Sequence, residues 1–237
     1  MIVVMPMAGR GSRYATQGFE IPKPMINVAG QPMILWALKS LEGLSVSRVV
    51  FVVLREHEER WNVKKLVSNK ISAPLDFVLL DTITEGQLCT VLAAKEYLAP
   101  EEDVLIAASD TLVQSKLQSD IADIRYDGII SVANLPGEQW SFARTDKKGM
   151  VVEVAEKKRI SEHASTGLYY FRRAAELIAY GEDMIRKHEK TRGEYYVIPV
   201  YQKMIEHGAF IGISRATAMW DMGTPEAKEV FEKRFGN

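Results

Sequence analysis

The sequence has little of several features that mark particular classes of protein. It holds one cysteine, Cys89, among 237 residues, which excludes an internal disulfide and a cysteine-ligated metal site. Its longest apolar runs, such as residues 49–54, are far too short to span a bilayer, and its beginning lacks the pattern of a signal peptide. An unpaired thiol suits a reducing compartment. We therefore expect a cytoplasmic protein without a membrane partner.

Neither sign of charge is in excess. Lys and Arg total 30, Asp and Glu total 31, and the net charge is −1. Because nucleic-acid-binding proteins neutralise phosphates with a basic surface, this balance argues against a nucleic-acid partner. A hydrophobic content of 47% with 26% charged residues is typical of a globular domain with a sizeable core. The length fits one domain over residues 1–237, and a homo-oligomer stays open.

Short apolar runs rich in Val and Ile alternate with helical patterns in the first part of the chain. We predict strands over residues 2–5, 48–54, 75–80, 104–108 and 128–132. Helices are predicted between them, over residues 33–44, 56–68, 87–98 and 116–124. This alternation predicts an α/β protein with a Rossmann-like, three-layer α/β/α architecture and a mixed, mostly parallel sheet.

The pattern changes after residue 135. Short strands are predicted over residues 140–145, 151–156 and 165–171, with a hairpin turn over 146–149. Helices are predicted over residues 174–190 and 197–207. A last helix begins after Thr224 as N-cap, with Pro225 at its first position.

The opening of the chain carries its most specific pattern. A predicted strand runs into G-R-G-S-R at residues 9–13, and P-K-P follows at residues 22–24. Glycines let the backbone come close to an anion, while Arg13 and Lys23 supply two cations. The pattern therefore predicts a site for a polyphosphate at the end of the first strand.

Two better-known phosphate loops do not fit this opening. The Rossmann fingerprint requires a third glycine, and Tyr14 stands in its place. The P-loop requires Gly-Lys followed by Ser or Thr, and no Gly-Lys pair occurs in the sequence.

With V-A-G-Q-P-M-I at residues 28–34, these motifs resemble those of the sugar-phosphate nucleotidyltransferases, also called NDP-sugar pyrophosphorylases. The CTP-dependent cytidylyltransferases of phosphorylated alcohols are a related group. The resemblance covers nearly the whole chain and implies a GT-A-like fold with a nucleotide-binding half (1–135) and an acceptor-binding half (136–237). It implies that Arg13 and Lys23 grip a triphosphate. The implied nucleotide-binding residues are Ala8, Gly9, Arg10, Gly11, Ser12, Glu85, Gly86 and Gln87.

Two distant acidic residues are implied ligands of Mg²⁺. Asp110 ends a predicted buried strand, at the edge of the sheet where ligands of α/β proteins bind. Asp221 lies in W-D-M-G-T-P-E at residues 220–226, which resembles a family motif but has one residue fewer between Trp and Asp. Because Thr224 is the predicted helix cap, Asp221 is not needed for capping.

Three further motifs resemble the family's acceptor site: V-A-E-K-K at 154–158, S-T-G-L-Y at 165–169 and R-G-E at 192–194. The resemblance implies that Lys157 is catalytic and binds the acceptor phosphate. The implied acceptor-binding residues are Trp140, Ser141, Glu156, Lys158, Thr166, Gly167 and Glu194. Ser141 stands where the family commonly has glycine, and Lys158 where it has proline. We therefore expect an acceptor with an added charged or polar group rather than plain glucose 1-phosphate.

The implied reaction joins an NTP to a small phosphorylated acceptor, a sugar 1-phosphate for surface polysaccharide synthesis, and releases pyrophosphate with Mg²⁺ as cofactor. A cytidylyltransferase acting on a non-sugar acceptor is the alternative. A GT-A glycosyltransferase usually carries D-x-D, which this sequence lacks. A nucleotide-sensing protein would lose the cations or the metal carboxylates, all of which are present. The base and the acceptor stay open.

Overall fold

The computed structural model of the chain describes residues 1–9 and 11–236. The strands, in chain order, are β1 (Ile2–Pro6), β2 (Asn27–Val28), β3 (Gln31–Pro32), β4 (Arg48–Leu54), β5 (Leu75–Leu80), β6 (Val104–Ala107), β7 (Thr111–Ser115), β8 (Gly128–Ala133), β9 (Ser141–Thr145), β10 (Val151–Glu156), β11 (Ala164–Phe171) and β12 (Ile211–Asp221). The helices are α1 (Ser12–Ala15), α2 (Met33–Leu38), α3 (Arg55–Trp61), α4 (Val63–Val67), α5 (Gln87–Leu92), α6 (Leu117–Asp120), α7 (Ala174–Arg186), α8 (Ile198–Glu206) and α9 (Pro225–Phe235).

One mixed sheet runs through both halves of the chain. Its strand order is β5-β4-β1-β6-β11-β8-β12-β7, with β9 and β10 attached beside β11. The pairs β1–β4, β1–β6, β4–β5 and β8–β12 are parallel. β11 runs antiparallel between β6 and β8, and β7 runs antiparallel to the second part of β12. Most strands in this order therefore point one way, which confirms the predicted mixed, mostly parallel sheet.

Helices cover both faces of this sheet. On β1, Val4 belongs to a buried apolar layer shared with α5, α7 and α8. The adjacent Val3 belongs to the opposite layer, shared with α2, α4 and α6. Because both faces of the central strands are buried, these strands read as continuous apolar runs. The predicted three-layer α/β/α architecture is confirmed.

A third apolar cluster joins the two ends of the chain. Tyr14, Trp36, Met222 and Phe231 pack together within it. The buried Tyr14 hydroxyl donates a hydrogen bond to the carbonyl of Met222 at 2.6 Å. The segment before α9 is thereby held against the loop that follows β1.

The helices are shorter than their patterns predict. The predicted helix over 56–68 divides into α3 and α4 because Asn62 adopts a left-handed conformation with φ 48°. The predicted helices over 33–44 and 87–98 end at Leu38 and Leu92 and continue only as 3₁₀ turns, Lys39–Leu41 and Lys95–Tyr97. Among the described residues, no helix combines the length and apolar character that crossing a membrane requires.

Four strands were missed by the sequence patterns: the two-residue β2 and β3, and the longer β7 and β12. In β12 the positions that face the sheet interior include Gly212 and Ser214, which interrupt the apolar alternation. A Cβ at Gly212 would lie 2.9 Å from the ring of Tyr126, so close packing rather than strand propensity selects glycine there. The predicted hairpin turn is confirmed, since Gly149 N donates to Asp146 O at 3.1 Å.

Candidate active site

The segments that follow β1, β6 and β12 meet at one edge of the sheet. These three strands point in the same direction, so their carboxyl ends share this edge. Asp110 lies just beyond β6, and Asp221 is the last residue of β12. The Met222 amide donates to the carbonyl of Asp110 at 2.8 Å, which ties the two segments together. Ligands of open α/β sheets bind at such an edge.

The two aspartates face each other across Gly223. A Cβ on Gly223 would lie 2.9 Å from Asp110 Oδ2 and 3.0 Å from Asp221 Oδ1, so only glycine leaves both carboxylates in place. The Gly223 amide donates to Asp221 Oδ1 at 2.9 Å. Burial first, and the Asp110 charge second, raise the pKa of Asp221 to about 6. Within residues 1–9 and 11–236 the two stand as a pair, because no group of three metal-ligating side chains forms.

Lys23 closes this pair from the side of the first loop. Its ammonium lies 2.5 Å from Asp110 Oδ2, and both side chains are partly buried, with 26% and 20% of their surface exposed. Pro22 and Pro24 flank it, and the Met25 amide closes the turn by donating to Pro22 O at 2.8 Å. The Lys23 Cβ also lies 3.2 Å from the Cβ position of Gly11, whose φ is +56°. The second cation thus lies against the glycine loop, as the spacing predicts.

In the loop that follows β1, the backbone is open at Gly9. Ala8 is fully buried, whereas Gly9 is exposed, and a Cβ there would meet no described atom within 4 Å. Ser12 and Arg13 begin α1 with exposed side chains. Arg10 lies outside the described residues. The contacts of this loop with a nucleotide stay a prediction.

Glycine is required at position 86 by packing within the chain, which the sequence did not reveal. A Cβ on Gly86 would lie 2.4 Å from Tyr195 O and 2.5 Å from Tyr195 N, and its φ is +145°. The Tyr195 amide donates to Glu85 O, and its carbonyl accepts from the Leu88 amide, both at 3.0 Å. The backbone that approaches Gly86 is therefore the chain's own. Gln87 begins α5, and base recognition over residues 85–87 stays a prediction.

Glu156 and Ser141, both predicted to bind the acceptor, contact each other. They are paired residues of β10 and β9, and the Ser141 hydroxyl donates to Glu156 Oε2. Tyr169, buried in β11, donates from its hydroxyl to Ser141 Oγ at 3.2 Å. Burial raises the pKa of Glu156, although the Ser141 hydrogen bond and the Lys157 charge oppose the rise. The hydroxyl that Ser141 has in place of the family's usual glycine is therefore hydrogen-bonded to Glu156.

Lys157, the predicted ligand of the acceptor phosphate, contacts Tyr196. It follows β10 in a left-handed conformation with φ 52°, and its ammonium donates to the hydroxyl of Tyr196. The ammonium also lies 4.4 Å from the centre of the Tyr196 ring. The Tyr196 hydroxyl in turn donates to Glu194 Oε2 at 2.8 Å. Sequence reasoning named Lys157 and Glu194 but missed Tyr196, whose only signal is its place two residues after Glu194.

Two other predicted acceptor residues serve packing. Thr166 is 1% exposed, and its hydroxyl donates to Ser131 Oγ at 2.8 Å. Gly167 has φ +87°, and a Cβ there would lie 2.7 Å from Ala108 Cβ. The Thr166 hydroxyl is turned into the core, and glycine at 167 lets β11 approach the end of β6. A role of either residue in binding an acceptor stays a prediction.

The remaining two border the loop before β9. The Trp140 indole donates to the carbonyl of Pro136 at 2.9 Å, so its polar atom is used within its own loop. Lys158 is exposed. The guanidinium of the neighbouring Arg159 donates to Leu135 O at 2.6 Å.

Comparison with known proteins identifies the family of the chain. The family model described as nucleotidyl transferase matches residues 3–229. The bifunctional protein GlmU of Thermoanaerobacter pseudethanolicus is 23% identical over 245 residues, covering 98% of this chain and 50% of that protein. The chain spans about half the length of the curated relatives it matches.

Solved structures share the whole fold. The nucleoside-diphosphate-sugar pyrophosphorylase from Vibrio cholerae RC9 superposes with a TM-score of 0.84 at 26% identity, covering 98% of this chain and 99% of that one. The inositol-1-phosphate CTP transferase from T. maritima superposes with a TM-score of 0.78 at 16% identity, covering 99% and 94%. The family model spans most of the chain, and the motif resemblance is thereby confirmed: the chain belongs to the nucleotidyltransferase family.

Proposed function

We propose that the chain joins an NTP to a phosphorylated acceptor, a sugar 1-phosphate used for surface polysaccharide synthesis, and releases pyrophosphate. One observation carries the proposal. Asp110, Asp221 and Lys23 come from three distant segments and meet at the carboxyl ends of β1, β6 and β12. There Lys23 lies against Gly11 of the loop that follows β1. The similarity to GlmU and to a nucleoside-diphosphate-sugar pyrophosphorylase supports a sugar phosphate as acceptor class.

In the proposed reaction an oxygen of the acceptor phosphate attacks the α-phosphorus of the NTP. A new P–O bond forms, the bond from the α-phosphorus to the α,β-bridging oxygen breaks, and pyrophosphate leaves. The protein positions two anions that repel each other and offsets the charge that develops on the leaving group. Arg13 and Lys23 are assigned to the triphosphate, and Lys157 to the attacking phosphate.

The residues fit a divalent cation. Asp110 and Asp221 would hold Mg²⁺, because carboxylate oxygens are its preferred protein ligands and phosphate oxygens its usual co-ligands. Burial, and after it the charge of Asp110, raise the pKa of Asp221, and a bound cation would oppose both effects. Bound there, Mg²⁺ would neutralise charge on the phosphate oxygens. Lys23 would then exchange Asp110 for the triphosphate.

Cytidylyl transfer to a non-sugar acceptor is a second candidate. It is supported by the contact of Ser141 with Glu156, which leaves this carboxylate less free to accept hydrogen bonds from sugar hydroxyls. The inositol-1-phosphate CTP transferase has the same fold, so the fold accommodates this chemistry. An acceptor with an added polar or charged group fits either candidate.

The remaining assignments complete the proposal. We place the nucleotide in the half formed by residues 1–135, the acceptor in the half formed by residues 136–237, and the reaction in the cytoplasm. The partners are an NTP and a small phosphorylated acceptor, not a nucleic acid or a membrane.

The test is a panel of CTP, UTP, ATP and GTP against glucose 1-phosphate, inositol 1-phosphate and phosphocholine. Pyrophosphate release is measured with Mg²⁺ and after addition of EDTA. We expect release only when a particular NTP, an acceptor and Mg²⁺ are all present. Release of phosphate from the NTP whichever acceptor is added, or sugar transfer from a nucleotide sugar, would contradict the proposal.

A further inference from the structure

Tyr196 lies between Lys157 and the segment that is bonded to residues 85–88. Its neighbour Tyr195 is fixed to the nucleotide half by backbone hydrogen bonds to Glu85 and Leu88. From this anchored position the Tyr196 hydroxyl accepts a hydrogen bond from Lys157, which directly follows β10. The place of Tyr196 is therefore set by backbone contacts that do not involve Lys157.

The Tyr196 hydroxyl takes part in two hydrogen bonds. It accepts a hydrogen bond from the Lys157 ammonium and donates one to Glu194 Oε2 at 2.8 Å. Because a phenol has one proton, its donation to Glu194 leaves the oxygen lone pairs for Lys157. The aromatic ring adds an attraction for the same ammonium, whose nitrogen lies 4.4 Å from the ring centre.

Lys157 has no other rigid support for its head group in the contacts of the described residues. Its backbone is held, since its amide donates to Trp140 O at 2.9 Å and its carbonyl accepts from the Arg192 guanidinium at 3.1 Å. Its side chain still has four rotatable bonds. An ammonium carries three N–H donors, so the bond to Tyr196 uses one and leaves two for phosphate oxygens.

We propose that Tyr196 is the positioning residue of Lys157, which orients the ammonium toward the phosphate of the acceptor. The inference rests on the proposed function, because it needs Lys157 to bind that phosphate. Tyr196 acts through Lys157 and does not take part in the bond changes. Its removal should weaken binding of the acceptor phosphate and leave binding of the NTP unchanged.

The first test needs no turnover and uses inorganic phosphate as the probe. Protein carrying lysine labelled with ¹³C next to Nζ is titrated with phosphate, and the Lys157 signal is assigned by its loss in Lys157→Arg. We expect the signal to shift and saturate in the unchanged protein. In Tyr196→Phe, which keeps the ring, half-saturation should need about tenfold more phosphate, the usual cost of a hydrogen bond to a charged group.

Tyr180→Phe is the matched control, since Tyr180 lies on α7, packs against His207 and is not part of the site. It should titrate like the unchanged protein, and all variants should keep its melting temperature. Equal half-saturation in Tyr196→Phe and Tyr180→Phe would overturn the inference. So would a Lys157 signal that phosphate does not move in the unchanged protein.

The second test separates this inference from the proposed function. With whichever of glucose 1-phosphate, inositol 1-phosphate or phosphocholine is turned over best, Tyr196→Phe should raise the acceptor KM about tenfold and change the NTP KM less than twofold. If the unchanged protein releases no pyrophosphate with any pair, the proposed function fails, while the titration still decides whether Tyr196 orients Lys157. If the unchanged protein does release pyrophosphate and Tyr196→Phe has the same acceptor KM, the inference about Tyr196 fails while the proposed function stands.

Discussion

Lys23 is predicted to compete with a divalent cation for Asp110. The Lys23 ammonium lies 2.5 Å from Asp110 Oδ2, and the two side chains keep 26% and 20% of their surface exposed. A hydrogen bond between charged groups is worth about 1.5–3 kcal/mol. Taking the lower end for this partly exposed pair, Lys23→Ala should tighten Mn²⁺ binding to the nucleotide-free protein about tenfold. The same variant should lose turnover about 100-fold or more, because it removes the cation that we assign to the triphosphate.

Two assays follow from these opposite signs. Mn²⁺ affinity is measured by electron paramagnetic resonance without nucleotide, and turnover by pyrophosphate release. Lys95→Ala is the matched control, since it also removes a lysine–carboxylate pair, with Glu182 at 2.8 Å, but on the surface away from the site. It should change neither quantity. Mn²⁺ binding that is unchanged or weaker in Lys23→Ala would refute the competition, and near-normal turnover would refute the role of Lys23.

Three further substitutions test other parts of the site. Gly86→Ala would place a Cβ 2.4 Å from the Tyr195 backbone and should lower the free energy of unfolding by about 3 kcal/mol, a Tm loss of about 6 °C or more. The control Gly18→Ala, at φ +83° in open space, should lower it by only about 1 kcal/mol. Equal losses of stability in the two variants would contradict the clash with Tyr195. Asp221→Asn should raise the Mg²⁺ concentration for half-maximal turnover about tenfold, and an unchanged concentration would place the metal elsewhere. Ser141→Gly should raise kcat/KM for glucose 1-phosphate several-fold from a value below about 10⁴ M⁻¹s⁻¹, whereas a wild-type value above that range would show that the acceptor is ordinary.

The sequence predicted the strands whose apolar residues form a continuous run or alternate regularly. β4, β5 and β10 begin and end at the predicted residues, because continuous Val and Ile runs or clear alternation mark them. It did not predict β12, because Gly212 and Ser214 interrupt the apolar pattern of this strand at buried positions. Glycine is needed at 212 by the ring of Tyr126, which is distant in the sequence. The predicted helix over 56–68 was also too long, because the left-handed Asn62 ends α3 without disturbing the apolar pattern.

The same division holds at the site. The glycine loop with Lys23 could be recognised because both lie within one short segment, and the structure places them in contact. The facing of Asp110 and Asp221 depends on the sheet order, which only the fold supplies. Tyr196 could not be found, since its contact with Lys157 joins segments 39 residues apart and matches no motif.

The most direct test of nucleotidyl transfer follows the phosphorus atoms of the NTP. The active NTP from the panel is supplied in two forms, labelled with ³²P at the α- or at the γ-position, with the acceptor and Mg²⁺. A nucleotidyltransferase places the α-label in the nucleotide-diphospho product and the γ-label in pyrophosphate, in equal amounts and only when the acceptor is present. An α-label found in free nucleotide, or a γ-label found in inorganic phosphate or on the acceptor, would contradict the proposed reaction.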